Sequence, residues 1–547
     1  MKHMEKLWWK QKAIYQIYPR SFCDSNNDGI GDIPGIISKL DYLKDLGVGG
    51  IWLSPVYKSP NDDMGYDISD YYDINPEYGT LEDMKRLFAE AKKRDIHVIM
   101  DLVINHTSDE HPWFIESKKL DSPYHDYYIW QKGKTKKNGK ELPPNNWQSM
   151  FTGSAWEKCP ENGQYYLHLF TRKQVDLNYR NPKVIEEVKK ILRFWLDLGA
   201  SGFRCDVINM IYKESFADGK PAVYKRGKEH FLSKPGCHAI LKEFHDEVFE
   251  PYHAYTVGET ADVDIENAKT FTQGELSTVF PFEHTESDYF LLPLWKRKYN
   301  PQRMINALIK WQEQVDWNTL FFENHDQPRS LSRFGDVGTY RKESGKMLAT
   351  VLLTLRGTPF IFEGQEIGMT NVPFTDLSQL RDISSVNVYN LLRKFHIGKK
   401  LAWHWVMNFT RDHARTPMQW KNATNGGFST VAPWLMSNPN FTTINVEAET
   451  QDPDSIRSYY RTLLALKSLT PALQDGTFKT LRIGKKVLAF ERSDGNETVQ
   501  IVANMDHKSH RLNVALKGEK LLGNYVSPLY DGVKKLRPYE TVILRTK

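Results

Sequence analysis

Cysteine is scarce. The 547 residues hold four, Cys23, Cys159, Cys205 and Cys237, with no CxxC pair and no regular spacing. A disulfide scaffold and a cysteine-based metal knuckle are thereby excluded, and reduced thiols in a cytoplasmic protein are expected. Long apolar runs are also missing. No stretch approaches the ~18 apolar residues of a membrane span. The opening MKHMEKLWWKQKAIYQIYP is interrupted by lysines and lacks the apolar core of a secretory signal. A soluble, intracellular protein with no membrane partner is the expectation. An excess of one charge is absent too: 73 Lys and Arg against 68 Asp and Glu leave a net charge of +5, which makes no electrostatic case for nucleic acid.

What is present is an ordinary globular composition, 40% hydrophobic and 26% charged, with aromatics at 13%. At roughly 100–200 residues per domain the length suggests about three or four domains, or one large barrel with additions. Short apolar runs alternate with amphipathic stretches. Residues 13–19, 49–55 and 97–105 read as buried strands, and 36–47 and 81–95 as helices. The rhythm breaks over 107–176, rich in Trp, Pro, Asn, Gly and Lys, and reads there as an inserted loop-rich subdomain. It resumes with a helix at 184–199, strands at 202–207, 255–259, 277–280, 318–326 and 358–362, and a helix at 455–469. Eight strand candidates suffice to close a barrel. The expected fold class is α/β: a (β/α)8 barrel in two parts, 1–106 and 177–474, with the insert after the third strand. Beyond about residue 475, alternating segments split by turns predict an antiparallel β-sandwich domain, 475–547.

Chemistry in such a barrel sits at the C-terminal ends of the strands. Asp101 and His106, Arg204 and Asp206, Glu259, then His325 and Asp326 each follow an apolar run. Four charged strand ends at once are hard to explain as ordinary loop charge. Paired carboxyls flanking a bond are the apparatus of glycoside hydrolysis, one protonating the leaving oxygen and the other attacking or activating water. Arg204, two residues before Asp206 on an extended strand, points to the same face. Its charge is expected to keep Asp206 ionised as a nucleophile. Glu259 has no adjacent cation in sequence and is the expected general acid.

DLVINH (101–106), GFRCDV (202–207), VGE (257–259) and FFENHD (321–326) together resemble the successive signature regions of the alpha-amylase superfamily, glycoside hydrolase family thirteen. QIYPRSF (16–22), QVDLN (174–178), GTPFIFEGQEIGM (357–369) and ARTPMQW (414–420) are also similar to that family. The resemblance implies Asp206 as nucleophile, Glu259 as acid/base, and Asp326 as the third carboxylate that holds sugar hydroxyls. It implies Arg204 beside the nucleophile, His106 and His325 on hydroxyls of the cleaved sugar, and Asp101 as an orienting carboxylate. Asp63 and Tyr66 look like the hydroxyl clamp and stacking ring of exo-acting alpha-glucosidases, and Arg415 like their second sugar-clamping arginine. A retaining reaction is implied.

Within the family, DVINMI (206–211) resembles the oligo-1,6-glucosidases (isomaltase-like enzymes), which carry valine after the nucleophile. A branched Val207 would narrow the aglycone side and favour the flexible 1,6 linkage, as in isomaltose or panose. Trehalose-6-phosphate hydrolases share the DVIN pattern; the basic stretch KGKTKK (132–137) could serve a phosphate or be a solvated lysine face. Related alpha-glucosidases act on sucrose or maltose. The substrate class is a small oligosaccharide, and a monomer is expected. Three places depart from the family wording: Glu363-Gly364-Gln365-Glu366 where Gln-Gly-Glu-Glu is usual, Val175 where proline is frequent, and residues 212–236.

CDSNNDGIGDIPG (23–35) places Asp24, Asn26, Asp28, the carbonyl of Ile30, and Asp32 at alternating positions, with glycines that let the chain wrap. The spacing is that of the first half of a calcium loop, without the bidentate glutamate at its end. A metal-free loop of Asx turns is the alternative. The family resemblance implies structural Ca2+, with Mg2+ possible; no organic cofactor is expected.

Overall fold

The computed structural model describes residues 7–290, 294–526 and 532–546. Eight short strands follow in chain order: β1 (Ile14–Ile17), β2 (Gly50–Leu53), β3 (His97–Leu102), β4 (Gly202–Cys205), β5 (Tyr255–Glu259), β6 (Thr278–Phe280), β7 (Asn318–Leu320) and β8 (Gly357–Phe362). The principal helices are α1 (Ile33–Ser38), α2 (Leu40–Leu46), α3 (Leu81–Lys93), α4 (Pro182–Leu198), α5 (Pro301–Gln314), α6 (Arg341–Thr354), α7 (Ile383–Lys394), α8 (Lys399–Met407) and α9 (Ile456–Leu469). The chain divides into two compact units. One holds residues up to 51, 90–96 and everything from 281; the other holds 52–89 and 97–280.

In the second unit, β3, β4, β5 and β6 pair in parallel. Their side chains are buried almost throughout, which is why they read as unbroken apolar runs. Gly202 opens β4 at φ 145°, and a Cβ there would stand 1.8 Å from the Tyr255 carbonyl oxygen, so the close approach of β4 to β5 requires glycine. The insert leaves β3 through a strand at His106–Ser108 and returns through Gln174–Asp176, antiparallel to it, with Asp176 opposite His106. Between them a small core forms around Trp147, Trp156, Leu167 and Leu169, and it takes in Val207, Met210 and Phe231 from beyond β4.

In the first unit, β1 and β7 flank β8 in parallel. The expected helix at 36–47 is two helices. Asp32 caps the first by accepting Gly35 N–H at 2.6 Å, with proline in the first turn, so helix begins at Ile33. The second ends at Gly47, φ 99°. Helix α6 was not expected: every residue from Ser344 to Thr354 is buried, so it carries no amphipathic stripe. The C-terminal strands β9 (Thr477–Thr480), β10 (Val487–Ser493), β11 (Thr498–Asn504), β12 (Glu519–Gly523) and β13 (Thr541–Arg545) form an antiparallel sheet in the order β9-β10-β11-β13-β12. Its inner face buries Val487, Ala489, Val502, Val542 and Leu544 over Leu512, Leu516 and Leu536. None of the four cysteines is paired. Among the described residues no helix is long and apolar enough to cross a membrane.

Candidate active site

Strand register explains the first group of charges. In the β3–β4 pairing Arg204 lies directly opposite Asp101, and in the β4–β5 pairing Cys205 lies opposite Gly258, so Asp206 and Glu259 emerge side by side. The Arg204 guanidinium is buried and gathers three carboxylates. Its Nη1 donates to Asp101 Oδ1 and to Asp206 Oδ1, both at 2.7 Å, and its Nη2 donates to Glu259 Oε2 at 2.6 Å. It lies over the rings of Trp52 at 5.0 Å and Tyr66 at 5.8 Å. Asp101 is further held by Trp52 Nε1 and Tyr66 Oη, at 3.1 and 3.0 Å.

The charge balance differs from the sequence expectation. One guanidinium serves three acids, so Arg204 does not by itself keep Asp206 ionised. Burial pushes Asp206 up to about 7, Arg204 pulls the other way, and Asp101 adds to the rise. Burial likewise raises Asp101 to about 6 against Arg204. The absence of a neighbouring cation in sequence gave no guide to Glu259, because its arginine arrives from the next strand.

Between Asp206 and the turn Ile208–Met210 stands Val207 at φ 36°, ψ 38°. A β-branched residue in the left-handed region is strained backbone. The turn aims Val207 N–H at Glu259 Oε2, 3.3 Å away, while the side chain packs into the core of the insert.

The remaining expected residues of this unit gather nearby in the contact network. Asp63 is buried; its N–H donates to Asp67, and its Oδ2 accepts from Gln174 Nε2 at 3.4 Å. Asp67, which sequence reading passed over, also takes the Asp62 N–H and the Ser59 hydroxyl and fixes the loop that carries Tyr66. His106 Nε2 bonds the Tyr66 carbonyl at 3.0 Å, and its Nδ1 meets Asn105 Nδ2 at 3.2 Å. Burial lowers His106 to about 4, so the imidazole is neutral. Behind it Lys213, also unexpected, is buried against Asp176 and donates to Asn105 Oδ1 at 2.8 Å.

The other unit holds the second group. Arg415 donates from Nη2 to Asp326 Oδ1 at 2.7 Å and from Nε to the His325 carbonyl at 2.9 Å. Arg411, unmarked in the sequence reading, reaches the same Asp326 oxygen at 3.4 Å while bonding Asp382, the N-cap of α7. His325 Nδ1 accepts from Gln16 Nε2 at 2.8 Å, and its ring stacks on Tyr18. Asp326 keeps a third of its side chain exposed.

The loop at 24–32 is a series of Asx turns. Asp24 accepts N–H groups of Asn27 and Gly29, Asn26 that of Asp28, and Asp28 that of Ile30. Asp32 takes Ser25 N–H and Oγ as well as the helix cap. Among the described residues no three His, Cys, Asp or Glu side chains gather as a metal cluster. Asp24, Asn26 and Asp28 still offer a hard cation oxygens with a lone pair beyond the one given to an N–H, whereas each Asp32 oxygen already accepts two hydrogen bonds. Asp32 is the most fully engaged of the five positions.

The eight strands and the carboxylates at their ends define a glycoside hydrolase of (β/α)8 barrel class, with an inserted subdomain and a C-terminal antiparallel domain. Residues 16–476 match the model of the alpha-amylase catalytic domain, and the chain belongs to the alpha-amylase family. It is 47% identical to an oligo-1,6-glucosidase of Parageobacillus thermoglucosidasius, covering 100% of both chains. It is 40% identical to a trehalose-6-phosphate hydrolase of Bacillus subtilis, covering 100% of this chain and 99% of that one. Among solved structures it resembles the trehalulose synthase of Pseudomonas mesoacidophila MX-45, with TM-score 0.92, 41% identity and 99% of each chain covered.

Proposed function

We propose that the chain is a retaining exo-alpha-glucosidase that cleaves alpha-1,6 bonds at the non-reducing ends of short isomalto-oligosaccharides such as isomaltose and panose. The observation that carries this is the bridging of Asp206 and Glu259 by one guanidinium. Carboxyls that close suit a nucleophile and an acid at one anomeric carbon, whereas an inverting pair stands roughly 6.5–9.5 Å apart to admit water. Three acids against one buried arginine favour retention of a proton. Glu259 delivers it to the glycosidic oxygen as Asp206 attacks the anomeric carbon and the C–O bond breaks. The freed Glu259 carboxylate then takes a proton from water, whose oxygen attacks the glucosyl ester and releases Asp206. Asp326, with His325 and Arg415, takes the hydroxyl-holding role that the family resemblance implies, and Asp63, Tyr66 and His106 the clamp.

The 47% identity to an oligo-1,6-glucosidase supports the linkage. The lysine stretch at 132–137 gives little support to a phosphate site: Lys134 is exposed and paired with Asp218 at 3.2 Å. A side-by-side assay decides. Glucose from isomaltose and panose with little attack on trehalose 6-phosphate is expected; the reverse preference refutes the assignment. Val207→Thr is expected to raise maltose cleavage relative to isomaltose, and an unchanged ratio removes Val207 from the linkage argument. The loop at 24–32 is assigned a structural Ca2+ held by Asp24, Asn26, Asp28, Ile30 and Asp32, with Mg2+ as the other candidate; the ion would tie the loop down and take no part in the chemistry. The enzyme is assigned to the cytoplasm as a monomer.

A further inference from the structure

Glu363 directly follows β8 and is fully buried. Its Oε2 accepts the Tyr18 main-chain N–H at 2.9 Å, and its Oε1 is buried without a partner. Among the described residues no cation bonds the carboxyl. Arg329 is adjacent, but its guanidinium donates to the Glu363 main-chain oxygen at 2.6 Å, to Glu323 at 3.1 Å and to the Ala414 carbonyl at 2.9 Å. A second buried acid, Glu366, adds like charge; it is held by the Tyr15 and Tyr42 hydroxyls, and the charge of Arg457 acts on it. The other titratable groups on the packed elements are Tyr18, Tyr460, His325 and Arg415. A bare carboxylate oxygen in such a place is far costlier than a bare hydroxyl. An amide, Gln365, stands two residues on.

Tyr18 leads outward from Glu363. Its ring stacks on His325 with centroids 5.9 Å apart at 16°, and the Arg415 guanidinium lies 5.5 Å from the same ring. We propose that Glu363 is held as a neutral carboxylic acid and is a positioning residue, its carbonyl oxygen pinning Tyr18 and thereby the His325–Arg415 pair on Asp326. Burial and the nearby Glu366 push the group well above the ordinary glutamate range, in the same direction. The positioning half rests on the glucosidase reading; the protonation half does not.

The test is melting temperature against pH for the full-length enzyme and Glu363→Gln, with Glu363→Met as a second neutral replacement. A group protonated in the folded state and ionised in the unfolded state loses stability as pH rises above its unfolded pKa of about 4.3. The variant should therefore gain on wild type steadily between pH 4 and pH 8. A constant gap, or one that widens in favour of wild type, overturns the proposal; so does failure of both neutral variants to fold. For positioning, KM for p-nitrophenyl alpha-glucoside should rise about tenfold or more in Glu363→Ala and return to within about threefold of wild type in Glu363→Gln. Equal losses in both, or none in Glu363→Ala, refute that half. Wild-type inactivity on every alpha-glucoside would instead sink the glucosidase reading and leave the pH–stability result standing.

Discussion

Two groups of charge in this molecule are built on opposite principles. Around Arg204 one guanidinium is divided among Asp101, Asp206 and Glu259. Around Asp326 two guanidiniums, Arg411 and Arg415, converge on a single carboxylate oxygen. The first group is short of positive charge and favours keeping a proton; the second is well supplied and favours a fixed anion with a fixed geometry. On the proposed reading, proton traffic belongs to the first and holding a hydroxyl to the second. A family motif marks the carboxylates in both places but says nothing of this difference, which lies in the ratio of arginines to acids.

The comparison breaks most sharply at the acids of the first group. Asp206→Asn and Glu259→Gln should each lower kcat by about a thousandfold or more with the fold intact. Wild-type turnover in either variant would remove the proton-sharing pair from the chemistry. Next come the arginines. Arg204→Gln strands two buried acids and a third that is mostly covered, and should cost about 3–5 kcal/mol of stability along with activity. Arg415→Gln leaves a carboxylate one-third exposed and still paired with Arg411, so it should act chiefly on KM, at smaller cost to stability. Denaturant midpoints and steady-state kinetics separate the two; equal destabilisation would erase the distinction.

Proton retention has its own signature. Asp206 is raised from its unfolded value to about 7, so its contribution is fully present below about pH 4 and is lost as pH rises toward 7. Asp206→Asn removes that loss. Its melting temperature relative to wild type should climb between about pH 4 and 7; a flat difference contradicts the shared-proton picture. The smallest effect is expected at the loop at 24–32. Chelation of the calcium-loaded enzyme, or Asp28→Ala in calcium-containing buffer, should lower the melting temperature by a few degrees, and an unmoved melting curve counts against the metal.

The sequence showed the strands of the barrel and the acids at their ends because buried parallel strands leave uninterrupted apolar runs, and the charge that follows them stands out. It could not show who faces whom. The Arg204–Asp101 pairing depends on register between strands a hundred residues apart, and the Glu259–Arg204 bond crosses from one strand to the next. Arg411 sits outside any periodic segment, and its meeting with Asp326 depends on where the α7 cap places Asp382. Helix α6 was hidden for the opposite reason: burial on every side removes the polar stripe that betrays a helix.

The central claim is that Asp206 attacks carbon and Glu259 moves the proton. It is tested most directly by the anomeric form of the first glucose released from isomaltose, followed by proton NMR before mutarotation. The account predicts the alpha anomer; beta-glucose appearing first would contradict it.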